Sequence, residues 1–227
     1  LDYTSEEVQQ LLSLATQLKV ITKAGKCPRL LEGKTLGMIF EKSSTRTRVS
    51  FEVGMQQLGG YGMYMNARGM QIGRGEPIPD TGRVLSGYLD GIMIRANSHA
   101  MVKELAEHAS IPVINGLTDL YHPCQALADI LTVQEVKGHT KGLKLAFIGD
   151  GNNVAHSLVI AAAYMGMHIA VATPVGYEPN EEIMAKAKAI ALANEGSLFV
   201  SNDPLEAAVN ADVVYTDVWT SMGQEEE

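Results

Sequence analysis

The residues best suited to chemistry in this chain sit just behind its apolar runs. Phe40-Glu41-Lys42-Ser43-Ser44-Thr45-Arg46-Thr47-Arg48 leaves one such run and opens a helical stretch. Backbone N–H groups at a helix N-terminus, with the positive end of its dipole, favour an anion. Ser44, Thr45 and Thr47 add hydroxyl donors, and the Arg46 guanidinium can grip a phosphate or carboxylate with two prongs. The same residues would also make an ordinary helix cap followed by a solvated basic face. The segment is not a P-loop, because that motif's glycines and Lys-Ser/Thr pair are absent. Arg95 closes another apolar run, either as an anion ligand or as a solvated strand end. His122-Pro123-Cys124-Gln125 opens a further helix. His122 and Gln125 can face one pocket together, or His122 can serve as a cap. Cys124 heads an apolar stretch and reads as a buried thiol rather than a nucleophile.

Two more segments follow the same rule. Gly149-Asp150-Gly151-Asn152-Asn153-Val154 is a strand-to-helix turn. It resembles a dinucleotide fingerprint but has Val154 where the third glycine belongs. Asn153 suits an amide donor to a carboxylate, or equally a cap on a tight turn. Asp217-Val218-Trp219-Thr220-Ser221-Met222-Gly223 places an acid and a serine four apart before a glycine hinge, which suits a loop that closes on an amine. Trp219 reads as packing.

Such residues need a frame. Thr4-Ser5-Glu6-Glu7 is a capping box, followed by Val8, Leu11, Leu12, Leu14, Ala15 and Leu18 at helical spacing. Strands are predicted over 36–40, 91–95 and 112–115, with helices over 43–58, 101–109 and 123–136. The first of these helices is stopped by Gly59-Gly60. After Gly138 the alternation restarts, with strands over 143–148, 169–172, 198–200 and 213–216. Helices are predicted over 154–167, 181–194 and 204–209. Strands alternating with helices predict parallel βαβ units. The fold class is therefore α/β in two lobes, each a mostly parallel sheet flanked by helices. The polar break Lys137-Gly138-His139-Thr140-Lys141-Gly142 divides them into 1–137 and 138–227. Ligands of such sheets sit beyond the carboxyl ends of the strands, where all five segments above fall.

Composition narrows the partners. The 227 residues carry 18 Lys+Arg against 26 Asp+Glu, a net charge of −8. An acidic chain argues against nucleic acid as the main partner. No apolar run approaches the roughly 18 residues a membrane span needs. With 46% hydrophobic and 19% charged residues the chain is globular rather than disordered. Cys27 and Cys124 form neither a disulfide framework nor a metal-ligand pattern, which fits a reducing compartment. The chain begins at Leu1 rather than Met and ends in Glu225-Glu226-Glu227. Missing segments are therefore expected.

Taken in order, the motifs resemble a known family. Ser44-Thr45-Arg46-Thr47-Arg48, Arg95 and His122-Pro123-Cys124-Gln125 resemble the carbamoyltransferases. Gln71-Ile72-Gly73-Arg74-Gly75-Glu76, Gly149-Asp150-Gly151-Asn152-Asn153 and Asp217 to Gly223 resemble the branch that acts on ornithine. The likeness runs through essentially the whole chain. Family members extend further, with a His-Cys-Leu-Pro motif beyond the position of Glu227.

The resemblance implies transfer of the carbamoyl group of carbamoyl phosphate to the δ-amine of L-ornithine, giving L-citrulline and phosphate. It assigns the first lobe to carbamoyl phosphate and the second to ornithine. Ser44, Thr45, Arg46 and Thr47 would bind the phosphate. Thr47, Arg95 and His122 would polarise the carbonyl and stabilise the oxyanion that forms on attack. Gln125 would hold the carbamoyl NH₂. Asn153, Asp217, Ser221 and Met222 would hold ornithine, with Asp217 facing its α-ammonium. Gln71 would reach a neighbouring subunit's site, implying a homotrimer with shared sites. Neither metal nor organic cofactor is implied. The resemblance further implies arginine biosynthesis, or arginine catabolism run in reverse, in the cytoplasm or, in a eukaryote, the mitochondrial matrix. The alternatives are a transferase for putrescine or aspartate, a non-catalytic anion-binding protein and a dinucleotide-dependent oxidoreductase. An aspartate site would call for extra basic groups, and a putrescine site would give Asn153 no carboxylate to meet.

Overall fold

The computed structural model describes residues 2–218. Its contacts divide the chain into two compact units. One is Gln17–Tyr121; the other combines the residues before Gln17 with those from His122 onward.

In the Gln17–Tyr121 unit the strands are β1 (Thr35–Phe40), β2 (Tyr61–Asn66), β3 (Gly91–Arg95) and β4 (Val113–Leu117). They form one parallel sheet in the order β2-β1-β3-β4. The connecting helices are α2 (Thr45–Gln57), α3 (Ile78–Ser86) and α4 (His99–His108). The first helix of the chain, α1 (Ser5–Lys23), is shared by both units. Both faces of the sheet are covered, as a parallel sheet requires. Leu36, Met38 and Phe40 of β1 pack with Met55 of α2, while Ile39 packs with Ile92, Ile94 and Leu105. That split is the two-residue period of a strand.

Two elements escape the sequence pattern. β2 follows directly on Gly59-Gly60, contains Gly62 and has no β-branched residue. It is an edge strand, with Tyr61 and Met63 exposed, so it lacks the continuous apolar run that marks the buried strands. α3 begins in Pro77-Ile78-Pro79, where prolines usually read as a loop but are tolerated in a first helical turn.

The second unit holds β5 (Lys144–Ile148), β6 (His168–Ala172), β7 (Ser197–Ser201) and β8 (Val213–Tyr215), parallel and in the order β7-β6-β5-β8. Its helices are α5 (Pro123–Lys137), α6 (Asn153–Tyr164), α7 (Glu181–Ala193) and α8 (Pro204–Ala208), together with the start of α1. α6 is buried along ten consecutive residues, Val154 to Ala163, and packs against α5 and α7. The capping box at the start of α1 forms: Glu7 N–H donates to Thr4 Oγ1 at 3.2 Å, and Thr4 N–H donates to the Glu7 carboxylate at 2.7 Å.

Candidate active site

Each sheet has one place where the chain order reverses, and there the loops leaving two adjacent strands diverge and open a crevice. In the first sheet that place lies between β1 and β3. The loop after β1 carries Ser44 to Thr47; β3 ends at Arg95, in register with Phe40. Glu41 N–H donates to the Arg95 carbonyl at 2.9 Å, which ties the two strand ends together.

Ser44 is the cap of α2. Its Oγ accepts from Thr47 N–H at 3.3 Å and donates to Thr47 Oγ1 at 3.0 Å. The cap and the anion-site readings of this segment are therefore compatible. Ser44 satisfies one helix-end donor, and the N–H groups of Thr45 and Arg46, in the same first turn, have no acceptor inside the helix. Arg48 is engaged elsewhere, with Nε 3.2 Å from Glu52 and its guanidinium 4.0 Å above the Tyr64 ring. Arg46 is exposed at the helix start.

Arg95 is only 6% exposed, which removes the solvated-strand-end reading. Burial, and then the like charge of Arg46, push its guanidinium below the usual range. Exposed Arg46 adds its charge to the positive end of the α2 dipole, which favours an anion there.

In the second sheet the reversal lies between β5 and β8. The turn after β5 carries Asn152 and Asn153, and Asp217 follows β8. Asn152 is the cap of α6, its Oδ1 accepting from Val154 and Ala155 N–H. Capping thus falls to Asn152 and leaves Asn153 as the first helical residue. Asn152 Nδ2 also donates to Asp217 Oδ2 at 3.1 Å, joining the two loops.

His122 stands at the start of α5. Its side chain makes no capping bond, and its N–H donates to the buried Ser157 of α6 at 2.7 Å. Cys124 is half-buried and its thiol is pushed up to about 11 by burial, so it is not a thiolate at neutral pH. Gln125 is exposed and donates through Nε2 to Asp129 Oδ1 at 2.9 Å.

Gly151 answers the dinucleotide question. In that motif a glycine lets the backbone approach a pyrophosphate. Here a side chain at Gly151 would collide with the backbone of Glu178 and Pro179, and Gly151 N–H donates to the Tyr177 carbonyl at 2.9 Å. The space that glycine clears is filled by the protein's own chain.

The structure therefore gathers Ser44, Thr45, Arg46, Thr47 and Arg95 in one unit, and His122, Gln125, Asn153 and Asp217 in the other. Gln71 follows the edge strand β2, exposed in a 3-10 turn, Gln71–Arg74, closed by the left-handed Gly75. Trp219, Ser221, Met222 and Gly223 lie outside the described residues. Sequence reasoning passed over Asp129 and Tyr215. The available signal was an acid four residues after Gln125 inside an apolar helix, Ala126-Leu127-Ala128-Asp129-Ile130.

Comparison with known proteins divides the chain differently, with His122 and Gln125 falling in the first of two domains. The profile described as "Aspartate/ornithine carbamoyltransferase, carbamoyl-P binding domain" matches residues 1–135, and the one described as "Aspartate/ornithine carbamoyltransferase, Asp/Orn binding domain" matches 141–227. The ornithine carbamoyltransferase of Anoxybacillus flavithermus is 62% identical over 226 residues, covering 100% of this chain and 72% of that protein. Among solved structures, ornithine carbamoyltransferase from Pyrococcus furiosus is 56% identical. It superimposes with a TM-score of 0.95 over 99% of this chain and 72% of that one. A mitochondrial ornithine carbamoyltransferase from Coccidioides immitis is 38% identical, with a TM-score of 0.89 over 96% of this chain and 72% of that one. Profiles that together span nearly all of the sequence, and relatives alike from end to end, settle the lineage: the chain belongs to the aspartate/ornithine carbamoyltransferase family.

Proposed function

We propose that this protein transfers the carbamoyl group of carbamoyl phosphate to the δ-amine of L-ornithine, forming L-citrulline and phosphate. The observation that carries the donor half is the strand reversal itself, where β1 leads into the capped first turn of α2 with exposed Arg46 and the end of β1 is tied to that of β3 at buried Arg95. The acceptor half rests on the relatives, which are named for ornithine at 56–62% identity.

In this reading Ser44, Thr45, Arg46 and Thr47 hold the phosphate, and Thr47, Arg95 and His122 donate to the carbonyl oxygen as it becomes an oxyanion. Gln125 holds the carbamoyl NH₂. Asp217 pairs with the α-ammonium of ornithine, Asn153 meets its carboxylate, and Ser221 and Met222 close over its chain. The deprotonated δ-amine attacks, the new C–N bond forms, the C–O bond to phosphate breaks, and the amine gives up a proton. The binding of carbamoyl phosphate is assigned to 1–137 and that of ornithine to 138–227, which the two profile matches support.

We read the assembly as a homotrimer in which Gln71 reaches a neighbouring subunit. Large apolar side chains left exposed on α2 and the adjoining β2, namely Val49, Val53, Tyr61 and Met63, support an interface there. The role is arginine formation in the cytoplasm. A 41% identical relative from Campylobacter jejuni is described as anabolic, and the relative described as mitochondrial is more distant than the bacterial one.

The test is an acceptor panel on the full-length protein with carbamoyl phosphate as donor. Citrulline from ornithine is expected, with rate rising from about pH 6 to 8 as the amine loses its proton. A preference for putrescine or aspartate would refute the ornithine assignment; no carbamoylation of any amine would refute the function. Sedimentation at three times the chain mass tests the trimer.

A further inference from the structure

Asp129 lies one helical turn beyond Gln125 on α5, between the buried Ala126 and Ile130. Its Oδ1 accepts from Gln125 Nε2 at 2.9 Å, and its Oδ2 is sealed from solvent. The Asp129 Oδ2 has no hydrogen-bond partner among the described residues, and Tyr215 and Asp217 are near enough to act on the carboxylate electrostatically. Tyr215 itself is fixed by β8 pairing with β5 and by stacking on Phe147, ring centroids 5.8 Å apart. Among the described residues no Lys, Arg or His forms an ion pair with Asp129. A carboxylate placed among apolar neighbours without a cation is destabilising, whereas an ordinary surface i,i+4 pair needs no burial. Burial pushes its carboxyl up, while the Gln125 hydrogen bond pulls it back towards the ionised form.

A glutamine amide has a donor end and an acceptor end. An ionised carboxylate can only accept, so it takes the NH₂ end and turns Oε1 away. A carbamoyl NH₂ offers only donors, so Oε1 is the end it needs. We propose that Asp129 is a positioning residue for carbamoyl transfer: by holding Nε2 of Gln125 it fixes that amide with Oε1 presented to the substrate NH₂. The inference rests on the role given to Gln125 above.

A double-mutant cycle on the full-length protein tests this, with KM for carbamoyl phosphate and kcat measured at saturating ornithine. Gln125→Ala and Asp129→Ala should each lower kcat/KM for carbamoyl phosphate about tenfold or more, and the double variant should stay within about twofold of Gln125→Ala. A merely structural Asp129 would instead give losses that multiply. Asp129→Asn, which keeps the size and one acceptor oxygen, should lose only about three- to tenfold, and only while Gln125 is present. Multiplying losses, or wild-type kinetics in Asp129→Ala, would overturn the proposal. If Asp129→Ala shows no cooperative thermal transition, the cycle of Asp129→Asn with Gln125→Ala decides by the same criterion. Wild-type kinetics in Gln125→Ala would overturn the role of Gln125, and this proposal with it. An unsubstituted protein that makes no citrulline would refute the function itself.

Discussion

Arg46 and Arg48 stand two residues apart on α2 and are employed differently. Arg48 is committed to Glu52 and the Tyr64 ring. Arg46 stands at the helix start, close enough to Arg95 to lower its pKa. Arg46→Ala should therefore weaken carbamoyl phosphate binding by about 1.5–3 kcal/mol, roughly ten- to a hundredfold, and calorimetry would show it. Arg46→Lys should recover only part, because the fork geometry is lost. Arg48→Gln should leave that affinity within about twofold and lower stability by at most about 1 kcal/mol. A second residue-scale test concerns the two thiols. Cys27 is exposed, while Cys124 is held up at about 11. At pH 8 roughly one Cys124 in a thousand would be thiolate, so native alkylation followed by peptide mass mapping should label Cys27 and spare Cys124.

At the scale of elements, the strand-to-helix turn after β5 is the tightest constraint. Gly151→Ala would drive a methyl group into the backbone of Glu178 and Pro179. The expected loss is about 1–3 kcal/mol of stability, read as a lower denaturant midpoint at unchanged slope. Most of this architecture was legible in the sequence, because buried parallel strands print continuous apolar runs and helices print capping signals. Ser44, Arg95, His122 and Asp217 could be placed at element ends on that basis alone. β2 and α3 were not legible for stated reasons: β2, an edge strand with Gly62 inside it, shows exposed Tyr61 and Met63 in place of a continuous apolar run, and prolines at a helix start look like a loop. Asp129 left only a faint mark, an acid four residues after Gln125 in an apolar helix, and Tyr215 left none, because its nearness to Asp129 joins elements far apart in the chain.

For the molecule as a whole, the raised groups set a prediction about alkali. Burial holds the proton on Cys124 and on Tyr215, whose phenol is raised further by Asp129 and Asp217. Between the unfolded thiol value, about 8.5, and the folded value, the unfolded chain releases a proton that the native state keeps. The native state then binds more protons, so stability is intact below about pH 8.5 and falls as pH rises towards 11. Urea midpoints at pH 8 and pH 10.5 should show the fall, and Cys124→Ala should make it shallower.

The division of the chain into an uninterrupted Gln17–Tyr121 unit and a second unit drawn from both sides of it has a consequence for synthesis. As the chain leaves the ribosome, the uninterrupted unit is complete once Tyr121 has emerged and can fold at that point. The start of α1, with Val8 and Leu12 buried, emerges before that unit but belongs to one whose sheet is made after it. These residues thus precede the Gln17–Tyr121 unit in synthesis yet find their partners after it, and until then their apolar face stands open to whatever escorts nascent chains.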